Sequence, residues 1–171
     1  MAVIKTERLE LNPVQPSDAE FIYALQNSPK WLKYIGDRNI NNVDKARNYI
    51  QEKMEVHFKE HGYGNYAVFE KHSKKPVGTC GLFNRPGLDV VDIGFALLPE
   101  FEGNGYGSEA AFALLDYAKN DLRLQKVSAI VLPDNKTSVN LIQRLGLSFV
   151  KKVQLPNDEA WLDYYEIVLN E

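Results

Sequence analysis

Apolar residues recur along the chain with two periods, about two and about three to four, which outlines alternating strands and helices. Arg8-Leu9-Glu10-Leu11-Asn12 alternates polar and apolar side chains and reads as a strand halted by Pro13 and Pro16. Ser17-Asp18-Ala19-Glu20 has the form of a capping box, so a helix carrying Phe21, Ile22 and Leu25 is expected behind it. The stretch around Pro29 and Gly36 reads as a loop. From Val43 to Phe58 the residues Val43, Ala46, Tyr49, Ile50, Met54 and Phe58 fall near helical spacing, and Gly62 is placed to end this longer helix.

The second half repeats the alternation. Tyr66–Glu70 and Val77–Phe83 read as strands of a hairpin joined by the polar turn Lys71–Pro76. Val90–Leu98 is a third apolar run, and it leads directly into Pro99-Glu100-Phe101-Glu102-Gly103-Asn104-Gly105-Tyr106-Gly107. Ala111, Leu114, Leu115, Ala118 and Leu122 then mark a helical face, and Lys126–Leu132 is a β-branched strand ending at Pro133. A helix from Asn135 to Leu145, closed by Gly146, precedes strands at Phe149–Leu155 and Trp161–Leu169. The expected class is α/β (α+β): a largely antiparallel sheet with one right-handed strand, helix, strand crossover.

Composition narrows the function classes. The chain has 171 residues, 44% of them hydrophobic and 25% charged, as in ordinary globular proteins. A chain of this length buries about 70% of its unfolded surface, so one domain spanning residues 1–171 is expected. A net charge of −3 argues against a nucleic-acid partner, whose binding draws on clustered Lys and Arg. No apolar run is long enough to cross a bilayer, so no membrane association is expected. Cys80 is the only cysteine, which excludes an internal disulfide and a cysteine-based zinc site. A reducing, cytoplasmic setting follows. His57 and His61 share a helical face but lack further ligands, so no metal is expected, and all three histidines read as surface residues.

The glycine-rich junction carries the chemistry. A strand that ends in such a turn and opens a helix aims free backbone N–H groups and the positive end of the helix dipole at one point, where a phosphate fits. A P-loop would need a Gly-Lys-Ser/Thr ending, which is absent. A dinucleotide fingerprint is formally present as Gly105-x-Gly107-x-x-Ala110 with Asp134 further on, but it normally opens repeated parallel strand-helix units.

Taken whole, Ile93–Ala110 resembles the acetyl-coenzyme A motif of the GNAT N-acetyltransferase superfamily. Pro133-Asp134-Asn135-Lys136-Thr137-Ser138, leading to Leu145-Gly146-Leu147, adds a second match, and the opening Thr6-Glu7-Arg8-Leu9-Glu10-Leu11 is similar to the RimJ/RimL-type branch. The resemblance implies a GNAT fold of six to seven strands and about four helices. It also implies an enzyme that transfers acetyl from acetyl-coenzyme A to a primary amine in a ternary complex. The acceptor would be a protein N-terminus or a small molecule, and a homodimer is implied. Gly103, Asn104, Gly105, Tyr106 and Gly107 would form the pyrophosphate loop, with Glu102 where the family carries Arg or Gln. Backbone groups of Leu97 and Leu98 would pair with the pantetheine arm, and Asn135 would bind it.

For chemistry, the resemblance points to Asp92, before Ile93-Gly94, as the base that takes the amine proton. Ile142 stands where many members carry a tyrosine that protonates the leaving thiolate. The resemblance to the RimJ/RimL-type pattern implies the Ser138 hydroxyl as a donor, and the same residue equally reads as the cap of the helix opening near Asn135. Glu109 reads as a partner of the helix dipole, and Cys80 as a buried structural thiol. A noncatalytic acyl-coenzyme A sensor is the alternative from another class, with a nucleotide-dependent oxidoreductase third.

Overall fold

Alternating side chains make β3 (Asn65–Glu70) the hinge between the two faces of the sheet. Tyr66 and Val68 point into one apolar cluster and Ala67 into another. At β3 each face is therefore covered by helices, and the centre of the strand is buried on both sides. The computed structural model describes residues 2–169; Met1, Asn170 and Glu171, the ends of the expected 1–171 domain, lie outside the described residues.

The remaining strands are β1 (Ile4–Lys5), β2 (Leu9–Pro13), β4 (Pro76–Phe83), β5 (Asp92–Leu97), β6 (Lys126–Val131), β7 (Ser148–Val153) and β8 (Leu162–Val168). They form one eight-stranded sheet in the order β1-β2-β3-β4-β5-β6-β8-β7. Every pairing is antiparallel except that of β5 with β6. That pair is the expected crossover, and its helix is α5 (Tyr106–Asn120), which lies across β1, β2, β4 and β5. A sheet with one parallel pair is not the repeated parallel unit that a dinucleotide fold requires.

Against the opposite face pack α1 (Ala19–Gln26) and α3 (Val43–Tyr49), with Ile22, Ala46 and Ile50 at 1% exposure or less. The α3 helix runs through a π-helical turn at Ile50–Met54 into α4 (Glu55–His61), and Phe58 of α4 meets the Tyr66 ring edge-on at 5.3 Å. The expected helix from Val43 is thus present with one turn widened.

Three local readings are corrected. The residues around Pro29 form a helix, α2 (Pro29–Tyr34), rather than a loop. Proline occupies its first turn, where the missing N–H would have no helical partner. Ser17 lies inside a 3₁₀ turn, Pro16–Asp18, and the Asp18 carboxylate accepts from the Gln15 N–H at 2.8 Å, so the capping contact falls two residues earlier than Ser17–Glu20. In α6 (Lys136–Arg144) the cap is Asn135, whose Oδ1 faces the Ser138 N–H.

Candidate active site

Because β5 and β6 run parallel, both end at the same edge of the sheet. The loop into α5 and the loop into α6 therefore meet there. Alternation along β5 decides what faces the space between them. Leu98 donates its N–H to the Val77 carbonyl at 2.9 Å, and its own carbonyl accepts from the Phe101 N–H at 3.0 Å. Both backbone groups of Leu98 are engaged, so the expectation that Leu98 pairs with a bound ligand does not hold. Successive residues turn their backbone groups to opposite neighbours, so Phe95 and Leu97 turn theirs toward β6.

There the ladder stops early. The β5–β6 pairing is Asp92 with Ser128, held by the Ser128 N–H to the Val91 carbonyl at 2.8 Å. Beyond it the strands part, leaving the edges of Phe95 and Leu97 opposite that of Ile130. A short extended ligand carrying amides can fill such a gap as an added strand.

At the mouth of the gap, a 3₁₀ turn at Pro99–Phe101 leads into the glycine loop. Gly103 and Gly105 have φ of +80° and +79°, backbone that side chains resist. The first-turn N–H groups of α5 have no helical carbonyl to bond and point outward along the helix axis. The Tyr106 side chain is turned away from the loop: it is buried, its hydroxyl donates to Glu70, and the Arg8 guanidinium lies 4.5 Å from the ring centre. Only the backbone of Tyr106 is offered to a ligand. Glu102 pairs with Lys30 of α2 at 2.9 Å, so its charge is offset at the loop. On the far side, Arg144 of α6 donates to the Ser108 Oγ at 2.8 Å beside an open depression lined by Thr137, Asn140, Gln143 and Arg144.

At the closed end of the gap sits Asp92, 1% exposed. Its Oδ2 accepts from the Arg85 Nε at 2.6 Å, while Oδ1 is buried without a partner among the described residues. Burial raises its pKa to about 6, against the lowering pull of the Arg85 guanidinium and, more weakly, of the Ile130 N–H. Gly94 and Ala96 continue the same face of β5. A Cβ on Gly94 would lie 3.1 Å from the Phe83 ring, so the glycine admits that ring close to the strand. Further along, Ala96 meets an apolar cluster of Leu25, Trp31 and Leu98. The face thus runs from a carboxylate, past the Phe83 ring beside Gly94, to the cluster of Leu25, Trp31 and Leu98.

Other expected residues fall as follows. Ser138 lies half-buried on the first turn of α6, and Ile142 is buried in the core at 2% exposure. Cys80 is buried at 1% exposure and its thiol is pushed up to about 12 by desolvation, which suits a structural role. His57 is half-buried rather than a surface residue. Its Nδ1 faces the Tyr63 carbonyl at 3.0 Å and its Nε2 accepts from the Asn84 N–H at 3.0 Å. Among the described residues no group of three or more His, Cys, Asp or Glu is placed to hold a metal ion, and no helix is long and apolar enough to cross a membrane. The sequence reading missed Arg8, Lys30, Arg85 and Arg144, because each acts through a partner distant in the chain or across a turn. For Arg85 a signal existed: a cation seven residues before Asp92, across a hairpin, is placed to reach it.

Comparison with known proteins gives the geometry its family. The family described as the acetyltransferase (GNAT) domain matches residues 8–148. The uncharacterized N-acetyltransferase p20 of Bacillus licheniformis is 31% identical over 155 residues, covering 89% of this chain and 84% of its own. The fold is shared with the ribosomal-protein-S5-alanine acetyltransferase of Vibrio fischeri, at a TM-score of 0.82 and 15% identity over 100% of this chain and 98% of that one. It is shared as well with RimL, a ribosomal L7/L12 α-N-protein acetyltransferase solved with coenzyme A, at a TM-score of 0.78 and 18% identity over 99% of both chains. With a matched family spanning most of its length and the parted strands and glycine loop in place, the chain belongs to the GNAT acetyltransferase family.

Proposed function

We propose that this acetyl-coenzyme A-dependent N-acetyltransferase acts on the α-amine of a peptide N-terminus in preference to a lysine side chain. The observation that carries the reading is Asp92, a buried carboxylate with one unpartnered oxygen at the closed end of the gap. Bound in the gap, acetyl-coenzyme A supplies an acetyl group activated as a thioester. The chain's residues do the rest. Leu97 offers the backbone edge that aligns the pantetheine arm, and Asn135 lines the arm from the α6 side. Gly103, Asn104, Gly105, Tyr106 and Gly107 offer backbone groups to the pyrophosphate.

Asp92 receives the proton that the amine must lose, through a water in the gap, because the carboxylate is too deeply buried to touch a bulky acceptor. The magnitude favours an α-amine. Moving a proton from an α-ammonium of pKa about 8 to a carboxylate at about 6 costs about 3 kcal/mol, whereas from lysine at about 10.4 it costs about 6. Arg85 holds Asp92 ionised near neutral pH. The hydroxyl of Ser138, left free because Asn135 provides the α6 cap, is the donor assigned to the leaving thiolate. The Trp31 and Leu98 wall receives the side chain of the acceptor.

Glu102 is offset by Lys30, which lessens the repulsion that a carboxylate at this position would exert on a bound pyrophosphate. A reduced Cys80 and an acetyl-coenzyme A pool both suit the cytoplasm.

The test is continuous detection of thiol release from acetyl-coenzyme A against matched peptides, one set with a free N-terminus and no lysine, the other N-blocked with one lysine. Faster release with the first set is expected. Release confined to lysine peptides, or to polyamines in a third set, would overturn the acceptor assignment.

A further inference from the structure

The turn between β1 and β2 is built around one carboxylate of α5. The Thr6 hydroxyl and the Arg8 backbone N–H both donate to the Glu109 Oε1, at 2.6 and 2.9 Å, and the Arg8 Nε donates to Oε2 at 2.7 Å. These three donors hold Glu109 below the usual carboxylate range even though partial burial works the other way. Glu109 therefore stays charged, one turn into the helix that carries the glycine loop. Left alone, that charge would repel a phosphate at the helix start.

Arg8 offsets it and does more. Its Nη1 donates to the Asn104 carbonyl at 2.9 Å, and its guanidinium lies over the Tyr106 ring. Arg8 thus grips positions 104, 106 and 109, on both sides of Gly105. A guanidinium carries five N–H donors, and these contacts leave Nη2 without an acceptor among the described residues. Nη2 lies 3.3 Å from the point that a Cβ on Gly105 would occupy, so it borders the space opened by the missing side chain. The position where the family places Arg or Gln holds Glu102, which is engaged with Lys30. Arg8, about 100 residues earlier in the chain, is the cation that reaches Asn104 and Tyr106 in its stead.

We infer that Arg8 is a phosphate-binding residue of the cosubstrate site: Nη2 donates to a pyrophosphate oxygen seated on the glycine loop, while Nε and Nη1 hold the loop in shape. The inference rests on the acetyl-coenzyme A reading above. It assigns the N-terminal turn a direct part in binding, where the sequence alone offers only a strand and its turn.

The experiment is calorimetry on the full chain, comparing wild type, Arg8→Gln and Arg8→Lys with three ligands: acetyl-coenzyme A, its 3′-dephospho form, and acetyl-pantetheine, which has no phosphate. A charge-assisted contact of this kind corresponds to about 10–100-fold in affinity. Arg8→Gln is expected to weaken acetyl-coenzyme A and the 3′-dephospho form by the same factor in that range. Acetyl-pantetheine binding should be unchanged, and raised salt should reduce wild-type affinity more than that of the variant. Should Arg8→Gln fail to fold, Arg8→Lys keeps a cation over Tyr106 but not the fork, and an intermediate loss confined to the phosphate-bearing ligands is expected. An equal loss with acetyl-pantetheine, or no loss with any ligand, overturns the assignment. Failure of wild type to bind acetyl-coenzyme A would instead overturn the reading on which it rests.

Discussion

Gly105→Ala and Gly107→Ala form a matched pair that separates backbone conformation from space. Gly105 holds φ at +79°, and an added Cβ would stand 3.3 Å from the Arg8 Nη2, closer than most Cβ contacts. An L-residue in left-handed backbone costs about 1–2 kcal/mol. Gly107, two residues on, is outside the positive-φ set, and its added Cβ would meet Leu97 and Leu141 methyls at 3.6 Å, ordinary contact. There alanine is the better helix former by up to about 1 kcal/mol. Gly105→Ala should therefore lower stability by about 1–2 kcal/mol, a drop in Tm of about 2–8 °C for a chain of this size, while Gly107→Ala holds or gains stability. Urea unfolding with fitted slopes measures the first quantity, and calorimetry with acetyl-coenzyme A measures the compensating one. If the loop relieves its strain by rotating, part of the loss moves from stability into affinity. Gly105→Ala matching wild type in both, or Gly107→Ala losing as much as Gly105→Ala, would refute the reasoning.

Two further predictions concern charge. With Asp92 near 6, kcat/KM should fall about tenfold per pH unit below that value in wild type, while Asp92→Asn gives a low, flat profile; Arg85→Ala should move the limb to higher pH, because the guanidinium holds Asp92 down against its burial. Stability carries the same signature: the folded value lies above the ordinary 3.8, so the native state keeps the proton longer and this group's contribution falls as pH rises from about 4 to about 6. Asp92→Asn should lose that dependence in denaturation curves across the window, and identical curves would remove Asp92 from the buried site. Finally, Glu102→Gln should change stability by less than about 1 kcal/mol, since the Lys30 pair is exposed, yet tighten acetyl-coenzyme A binding at low salt. Weaker binding would mean that the carboxylate organises the loop.

The elements with long, regular patterns were legible from the residues. The apolar face of α5, the strands β3 and β4 and the glycine junction were all placed within a few positions. Legibility failed where a local rule had two outcomes. Pro29 halts a helix or starts one, and only packing of Trp31 against Leu25 and Leu98 selects the second. The two-residue β1 is too short to alternate and exists because Ile4 and Lys5 pair with Leu11 and Glu10. The π turn at Ile50–Met54 leaves the apolar spacing nearly helical, so the widened ladder was invisible. At the candidate site, Asp92, the glycine loop and Ser138 lie on the strand, turn and helix to which their positions in the chain assigned them. The direction of the Leu98 backbone depends on the register between β4 and β5, which side-chain pattern does not encode. The contacts of Arg8 span about 100 residues and needed the whole fold.

The early end of the β5–β6 ladder has a consequence beyond ligand shape. It divides the sheet into two leaves, β1 to β5 and β6-β8-β7, stitched by Asp92 and Ser128, with α5 packed on the first leaf meeting α6 beside the second where Arg144 reaches Ser108. Each leaf is internally antiparallel, so the seam is where the backbone network is thinnest. The amide hydrogens of Phe95 and Leu97 should then exchange fast in the free protein, although their neighbours in β4 are protected. A ligand lying in the seam as a strand would close that break in the backbone network, above a core that both leaves already share. Occupancy of the cleft should then slow exchange at Phe95 and Leu97 while leaving the shared core as it is.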